Sequence, residues 1–367
     1  MLAWLKREKV LVIALALAAA SMLAVPPDAA YAGYVDVRVL ALLFCLMLLV
    51  KGFQSIGLFD WLIARAFGRV ASARRMCVLL VLLCFFTGMV ITNDVALITF
   101  VPFAIMALRL CGQEGLLIRV VVLQTVAANL GSMATPIGNP QNLYLFSASG
   151  ISLGAFFGTM LPLAGVSLLL ILLALLSIPP QPIRITLGGE AARLPRRELA
   201  VYGALFAVNL LVVFRVLPWG VALAATLAGV LAMGQARLIK QVDYALLLTF
   251  VGFFIFVGNL GRVAFISEWL ERALAGRGVL LAALMSQALS NVPAALLLSG
   301  FTDNYAGLLA GTNIGGLGTL IASMASLISY KLYAAEPDAR KGRYLLVFTA
   351  YNAAGLALLL AFKLLIG

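Results

Sequence analysis

A polar stretch at residues 129–146, NLGSMATPIGNPQNLYLF, lies between two long apolar runs of the chain. Pro136 and Pro140 cannot continue a hydrogen-bonded helix, and Gly131 and Gly138 loosen one. The carbonyl oxygens freed by such a break, with hydroxyl and amide oxygens beside them, suit a hard cation such as Na⁺. The same amides and hydroxyls can hydrogen-bond an oxyanion. The stretch therefore predicts an ion-binding interruption of a helix.

A second interruption is predicted in the other half of the chain, within residues 305–330. Its flexible and polar residues are Gly315, Gly316, Gly318, Thr319, Ser323 and Ser326. The structural alternative for either stretch is a kink packed against neighbouring helices, with small polar residues as contacts between them. Two breaks, each paired with an Asn-containing turn elsewhere in the same half, favour a binding role over simple kinks.

Asp94 is the acidic residue that this interpretation places deepest in the membrane. An ionised Asp at the middle of a bilayer costs roughly 2.5–3.5 kcal/mol, so such a residue is normally functional or paired. The chain contains no histidine, which leaves Asp94 as its best proton or cation acceptor. The alternative is a structural carboxylate that caps the following helix, and both roles can coexist.

Composition places these residues in a membrane protein. The chain has 367 residues, of which 64% are hydrophobic and 11% charged, whereas soluble domains are nearer half apolar and a quarter charged. Helical runs long enough to cross a bilayer recur, and no alternating pattern indicates a barrel. The net charge of +12 comes from Lys and Arg in short loops, which set topology and do not indicate nucleic-acid binding. The predicted fold class is an all-α polytopic membrane protein.

Full crossings are predicted for nine segments: residues 9–24, 35–51, 116–148, 153–178, 199–217, 219–236, 243–260, 305–330 and 344–366. Two further apolar pieces are each divided by a short polar turn, at residues 92–94 and 290–291. Their arms are shorter than the roughly 20 residues that a crossing needs. We therefore expect two re-entrant helical hairpins, at residues 76–109 and 278–302, whose tips lie in a protein-enclosed cavity.

The two halves of the chain resemble each other. NLGSMATPIGNPQNL (129–143) aligns without gaps on NIGGLGTLIASMASL (313–327), and FDWLIARAFGR (59–69) echoes SEWLERALAGR (267–277), both read as amphipathic arms at the membrane surface. The predicted domains are a first repeat (1–178, with hairpin 76–109 and broken helix 116–148), a cytoplasmic linker (179–198) and a second repeat (199–367, with hairpin 278–302 and broken helix 305–330).

The distribution of basic residues predicts the orientation. With a cytoplasmic N-terminus, most of the 26 Lys and Arg residues fall on the cytoplasmic side, as the positive-inside rule requires. The two halves then have opposite orientations. Inverted repeats whose broken helices meet near the middle of the membrane are typical of secondary transporters.

Four motifs, TNDVALITFVPF, ATPIGNPQNLYLF, SNVPAALLL and GTNIGGLGTLIASMASLI, resemble the ion transporter superfamily. That group contains citrate and dicarboxylate carriers, arsenite permeases and Na⁺/H⁺ antiporters, and the chain is close to a bacterial inner-membrane branch. The resemblance implies two inverted repeats, each with a re-entrant hairpin and a broken helix, a homodimer and elevator-like alternating access.

The hairpin tips differ from those of the dicarboxylate carriers, in which paired Ser-Asn-Thr tips bind Na⁺ and substrate carboxylates. Asp94 and Val292 stand where that pattern has threonine. A fixed carboxylate would repel a dicarboxylate, and valine cannot hydrogen-bond one. The tips are more similar to the arsenite permease and antiporter branches, in which the Asp would handle a proton or cation.

The predicted function is an H⁺- or Na⁺-coupled secondary transporter of a small inorganic or organic anion in the bacterial inner membrane. The alternative is an Na⁺/H⁺ antiporter or an arsenite-type efflux permease. No enzymatic activity is expected, no cofactor beyond the coupling ion, and as partners only lipid and a second copy of the chain. Cation or proton coupling is assigned to Asp94, Asn93, Thr92, Asn129, Gly138, Asn291, Asn313 and Gly315. Substrate binding is assigned to Thr135, Pro136, Asn139, Asn142, Ser290, Thr319 and Ser323.

Overall fold

The computed structural model describes residues 8–67, 70, 72–183 and 193–367, which form α-helices joined by short turns. In chain order the helices are α1 (Lys9–Ala24), α2 (Tyr31–Tyr34), α3 (Val37–Ser55), α4 (Leu58–Phe67), α5 (Ala73–Ile91), α6 (Asn93–Leu110), α7 (Leu117–Ser132), α8 (Pro140–Ser149), α9 (Leu153–Leu176), α10 (Arg196–Val213), α11 (Trp219–Ala232), α12 (Tyr244–Gly261), α13 (Ala264–Leu274), α14 (Gly278–Leu289), α15 (Asn291–Ser299), α16 (Tyr305–Gly315), α17 (Met324–Ala334) and α18 (Lys341–Ile366). Short 3₁₀ turns precede α7 and α12.

Seven elements within the described ranges are long and apolar enough to cross a membrane: α3, α5, α6, α7 with its preceding turn, α9, α12 and α18. Helices α1, α11 and α14 are apolar but shorter. Many large apolar side chains on these helices face outward, which suits a lipid environment. The predicted all-α polytopic membrane fold is confirmed.

The helices pack in two groups. The first group contains α1, α3, α10, α11 and α12, in which α1 lies along α12 and α3 lies against α10 and α11. The helices approach each other closely because small residues lie at their contacts. This is usual in a lipid environment, where no hydrophobic driving force pushes helices together. Gly252 of α12 faces the backbone of Ala14, and Gly52 of α3 leaves room for the ring of Tyr202.

The second group contains α5–α9 and α14–α18. Helices α5 and α7 run side by side in the same direction, because Gln124 contacts the carbonyl of Leu80 and, later along both helices, Gly131 faces Phe85. The hairpin α5–α6 therefore ends beside the end of α7. Helices α14 and α16 repeat this arrangement, with Gly311 against Val279 and Gly315 against Ala283.

Two amphipathic helices, α4 and α13, connect the two groups along the chain. Helix α4 buries Phe59, Ile63 and Phe67 on one face, and α13 buries Leu270 and Leu274. The opposite face of α13 leaves Phe265 80% and Trp269 61% exposed, as a helix lying in a membrane surface would. Residues 68–69 of the first predicted arm lie outside the described residues.

Both predicted helix interruptions are present. The first break, residues 133–139, separates α7 from α8, and the second break, residues 316–323, separates α16 from α17. The arm lengths of the first hairpin differ from expectation, since α5 and α6 have 19 and 18 residues and each passes the length criterion for a crossing. Arm length therefore does not identify this hairpin as re-entrant. The contact between its tip and the first break supports that interpretation instead.

The repeat boundaries and the cytoplasmic linker stay predictions. Residues 1–7 of the predicted first repeat and residues 184–192 of the predicted linker lie outside the described residues. The structure describes residues 179–183 and 193–198 of the linker. The first of these segments contacts the start of the first hairpin through a bridge between Pro182 and Ser72, and the second leads into α10.

The contact between α5 and α7 predicts the effect of one methyl group. A Cβ on Gly131 would lie 2.1 Å from the carbonyl oxygen of Phe85, so Gly131→Ala must push the two backbones apart. We expect a loss of about 1–3 kcal/mol in unfolding free energy. Thermal unfolding in detergent measures it.

Gly158→Ala is the matched control, because a Cβ on Gly158 in helix α9 meets no atom within 4 Å. This substitution should leave stability unchanged or raise it by roughly 0.5–1 kcal/mol. Equal melting temperatures for the two variants would contradict the described contact.

Candidate ion and substrate site

The first hairpin tip, residues 92–94, is tied to the first break. Thr92 adopts a left-handed φ of 74°, which turns the chain sharply between α5 and α6. The Asn93 backbone N–H then donates to the carbonyl of Gly138 at 3.3 Å. The Asn93 side chain donates to Oδ1 of Asn129 at 3.0 Å and accepts from the backbone N–H of Asp94 at 3.0 Å. The tip is thereby held level with the interruption.

The second hairpin tip, residues 290–292, repeats this geometry. Ser290 has a φ of 78°, and the Asn291 backbone N–H donates to the carbonyl of Ala322 at 2.9 Å. The backbone N–H of Val292 donates to Oδ1 of Asn291 at 2.9 Å. In the ungapped alignment of the two halves, Ala322 is the counterpart of Gly138. Each tip therefore bonds the same position of its own break.

The two breaks bond each other through buried side chains. Asn139 donates to Oδ1 of Asn313 at 2.9 Å, and its counterpart Ser323 donates to Oδ1 of Asn129 at 2.9 Å. A second reciprocal pair runs from Asn313 to Asn142 at 2.6 Å and from Asn129 to Ser326 at 3.2 Å. We call these six residues the central amide cluster: Asn129, Asn139, Asn142, Asn313, Ser323 and Ser326.

The central amide cluster joins the halves directly. All six side chains are at most 4% exposed, and their amides and hydroxyls bond one another or nearby backbone. A buried polar group left without a partner costs about 1–3 kcal/mol, so this reciprocity stabilises the interface. These side chains bond one another across the space between the breaks, and their assignment to ion and substrate binding stays a prediction.

The remaining predicted residues hold the breaks in shape. The hydroxyl of Thr135 donates to the carbonyl of Met89, and its counterpart Thr319 donates to the carbonyl of Gln287 at 3.1 Å. Thr319 is exposed and lies outside the central amide cluster. Pro136 is buried within the first break, and Pro140 begins α8 behind the capping side chain of Asn139.

Gly138 and Gly315 are packing positions. A Cβ on Gly138 would lie 2.1 Å from the carbonyl oxygen of Ser132, and one on Gly315 would lie 2.8 Å from the hydroxyl of Ser286. Both glycines therefore permit a close approach, of the chain on itself at the first break and of α16 to α14. Only small residues fit at either place.

Asp94 lines a cavity of roughly 160 Å³ between the two helix groups. Thr92, Asp94 and Asn139 line it from the second group. Lys51 of α3 and Asp243, which caps the start of α12, line it from the first. The remaining walls are mostly apolar. Asp94 is half-buried, and its carboxylate makes no hydrogen bond or ion pair with any residue that the structure describes. Helices α6 and α8 both begin at this cavity.

The second tip has only a small space beside it. A cavity of roughly 20 Å³, about the size of one water molecule, is lined by Ser290, Val292, Thr249 and Asp243, among others. Because Val292 occupies the position that corresponds to Asp94, the carboxylate is present at one tip and absent from the other. The two halves are alike in backbone geometry and different in charge.

Three residues at the site were not predicted from the sequence, namely Gln287, Lys51 and Asp243. Gln287 donates to the carbonyls of Gly315 and Leu317 at 2.8 and 2.9 Å and accepts from the N–H of Thr319 at 2.9 Å, which satisfies backbone freed by the second break. Gln287 could have been found from the sequence, because it is an amide in an otherwise apolar hairpin arm. Lys51 and Asp243 stand at the ends of apolar runs, where charges are ordinary, so nothing in the sequence marked them.

Interrupted helices that meet one another and two hairpin tips, in a chain of apolar helices, define a secondary transporter. The chain belongs to the citrate transporter family CitMHS, whose family model matches residues 1–325. This match confirms the resemblance to the ion transporter superfamily.

Three relatives resemble this chain, and two of them are named as transporters. It is 34% identical to the inner membrane protein YbiR of Escherichia coli over 81% of this chain and 80% of that protein. It is 32% identical to the uncharacterized transporter MJ0456 of Methanocaldococcus jannaschii over 83% of each chain. It is 33% identical to the silicon efflux transporter LSI3 of rice over 40% of this chain and 30% of that protein.

The cross-half bonds predict a stability effect at Asn139. Asn139→Ala removes the cap of α8, worth about 1 kcal/mol, and leaves Oδ1 of Asn313 without its donor, which costs about 1–3 kcal/mol more. Asn304→Ala is the control, since Asn304 caps α16 through Gly307 and makes no bond across the halves. Its expected cost is about 1 kcal/mol alone. Unfolding curves that place Asn139→Ala at or above the stability of Asn304→Ala would contradict the bond between Asn139 and Asn313.

Proposed function

We propose that this protein is an ion-coupled secondary transporter that moves a small anion across the bacterial inner membrane by alternating access, driven by H⁺ or Na⁺. The observation that carries the proposal is Asp94, a carboxylate without a partner among the described residues, at a hairpin tip in a cavity between the two helix groups. The inner-membrane assignment rests on the E. coli relative, and the cytoplasmic N-terminus on the distribution of Lys and Arg.

The charges around the cavity suggest how coupling works. Asp94 and Asp243 contribute two carboxylates, and Lys51 contributes one ammonium. With Asp94 ionised, the excess negative charge repels an anion. Binding of a proton or Na⁺ neutralises Asp94. The opposite charges of Asp243 and Lys51 then cancel, so the cavity no longer repels an anion and an anion can enter. Binding of the anion thereby requires prior binding of the cation, which is the condition for coupled transport.

The anion would be held by groups that remain available at the cavity wall. Both side-chain N–H groups of Asn139 are already used, one by Ser132 and one by Asn313, so Asn139 has no donor left for a ligand. The hydroxyl of Thr92 remains, together with the dipoles of α6 and α8, whose N-terminal ends lie at the cavity although several of their first N–H groups are already bonded. Helix N-termini attract anions through their backbone N–H groups and dipoles.

Alternating access is proposed as a movement of the second helix group against the first. The chain links the groups through the amphipathic helices α4 and α13, and the main direct contacts between them are α3 with α8 and α12 with α15. The central amide cluster lies wholly inside the second group and would travel with it as one body. An elevator-like movement of this kind and a homodimeric assembly are the arrangements that the family resemblance implies.

An Na⁺/H⁺ antiporter or an arsenite-type efflux permease is the second candidate. The two carboxylates in the cavity favour it, because they suit a cation or an uncharged solute better than an anion. The rice relative is named as an efflux transporter, which supports this direction of transport. Proteoliposomes containing a pH-sensitive dye separate the candidates. Proton release on addition of Na⁺ alone supports the antiporter, and no response without an added anion supports the anion carrier.

Asp94→Asn should abolish coupled transport while the protein still folds. The amide keeps the shape of the carboxylate and cannot bind a proton or cation as a counter-charge. The measurement is uptake into proteoliposomes under imposed H⁺ and Na⁺ gradients, with labelled citrate, sulfate and arsenite as separate probes. A probe that the wild-type protein accumulates should enter the Asp94→Asn liposomes only at the protein-free background rate.

Asp303→Asn is the control, because Asp303 is exposed at the far end of the second hairpin and should keep wild-type uptake. Melting temperature and size-exclusion profile confirm that both variants are folded. Wild-type accumulation by Asp94→Asn would contradict the proposal.

A further inference from the structure

A larger cavity lies at one end of the second helix group, where α6 and α17 end and α7 and α18 begin. Its volume is roughly 570 Å³, and it shares no lining residue with the Asp94 cavity. Its charged lining residues are Arg109, Glu114, Arg119, Glu336, Asp338, Arg340 and Arg343. Tyrosine and aliphatic side chains complete the walls. The cavity therefore combines a basic surface with a position where the two halves of the chain meet.

Three of the four arginines lack a carboxylate partner within the described ranges. Arg109 pairs with Glu336 at 2.8 Å. Arg119 instead donates to neutral groups, the hydroxyl of Tyr351 at 2.9 Å and the carbonyl of Ala174 at 3.2 Å among them. Arg340 and Arg343 are exposed and form no ion pair within 4.0 Å among the described residues.

These guanidinium groups are suited to one kind of ligand. Arg119, Arg340 and Arg343 face two carboxylates, those of Glu114 and Asp338, so the cavity keeps a positive excess. Guanidinium groups bind phosphate through two parallel N–H···O bonds, which favours a phosphate over a simple halide.

An apolar groove of roughly 490 Å³ adjoins the basic cavity. Arg109 and Glu336 belong to the lining of both, so their ion pair marks the boundary. The rest of the groove is lined by Pro102, Ile105, Met106, Leu110, Leu332 and Ala335 of helices α6 and α17 and the turn after α17. Met106 and Leu110 are 48% and 67% exposed. A phosphate that carries an acyl chain could occupy cavity and groove together, whereas a free phosphate would use the cavity alone.

We propose that this composite site binds an anionic phospholipid. The phosphate of the headgroup contacts Arg119, Arg340 and Arg343, and an acyl chain lies along Ile105 and Met106. Basic pockets between transmembrane helices on the cytoplasmic side bind such headgroups in other proteins. The bound lipid would bridge α6 and α7 of one half with α17 and α18 of the other. It would thereby stabilise the second helix group independently of which solute the protein carries.

The test uses delipidated, purified full-length protein and two lipids with the same acyl chains, phosphatidylglycerol and phosphatidylcholine. Native mass spectrometry counts bound lipid, and thermal unfolding measures stabilisation. The wild-type protein should retain phosphatidylglycerol preferentially and melt at a higher temperature with it. The double variant Arg340→Gln/Arg343→Gln should bind phosphatidylglycerol roughly tenfold more weakly or worse, because two charge-assisted contacts are lost.

A matched control removes the same charge elsewhere. Arg237→Gln/Lys240→Gln changes two exposed residues of the first group and should bind phosphatidylglycerol as the wild-type protein does. The test variant should still fold, because the hydrogen bond of Arg340 to the hydroxyl of Tyr333 comes from its backbone N–H and not from its side chain. If the double variant nevertheless fails to fold, the single variant Arg343→Gln is measured in its place.

Soluble glycerol 3-phosphate distinguishes the lipid from a free phosphate. Leu110→Gln, a change at an exposed position of the groove, should weaken binding of phosphatidylglycerol and leave binding of glycerol 3-phosphate unchanged. Equal affinity of the wild-type protein for the two lipids would overturn the proposal. So would unchanged phosphatidylglycerol binding by the arginine variants, or glycerol 3-phosphate binding as tightly as the lipid.

Discussion

The structure depends on one requirement, which is that every backbone and amide group exposed by a helix break must find a partner inside the protein. Water is not available at the middle of an apolar helix bundle to satisfy them. Here each break is satisfied from two directions. A hairpin tip bonds it from its own half, through Asn93 at Gly138 and Asn291 at Ala322. The opposite break bonds it across the halves, through the central amide cluster.

The two hairpin tips are alike in backbone geometry and differ in charge, so the proposed coupling rests on one tip. The two tips share a left-handed turn residue and an asparagine that bonds its break. The next residue is Asp94 in one tip and Val292 in the other, so the first tip carries a carboxylate to the cavity wall and the second tip carries none. The symmetric contacts hold the second helix group together, and the asymmetric residue, Asp94, supplies the carboxylate on which the proposed coupling rests.

Much of this arrangement could be predicted from the sequence, because it follows from local chemistry. Pro136, Pro140 and the glycines of both stretches indicate the breaks, and the ungapped alignment of the two halves pairs Asn139 with Ser323. The pairing of Asn139 with Asn313 could not be predicted, since an alignment shows which residues are equivalent and not which ones touch. Lys51 is a similar case, because it reaches the cavity only through the packing of α3 against the second group.

The two broken helices lie directly against each other through their segments α7 and α17, and a disulfide tests this contact most directly. The hydroxyls of Thr125 and Ser329 are buried and 2.5 Å apart. In a chain whose native cysteines are replaced and whose linker carries a protease site, Thr125→Cys/Ser329→Cys should, after oxidation and cleavage, keep the halves joined on a non-reducing gel. Thr125→Cys/Ser299→Cys should release them. Separation of the halves in the first variant would contradict the account.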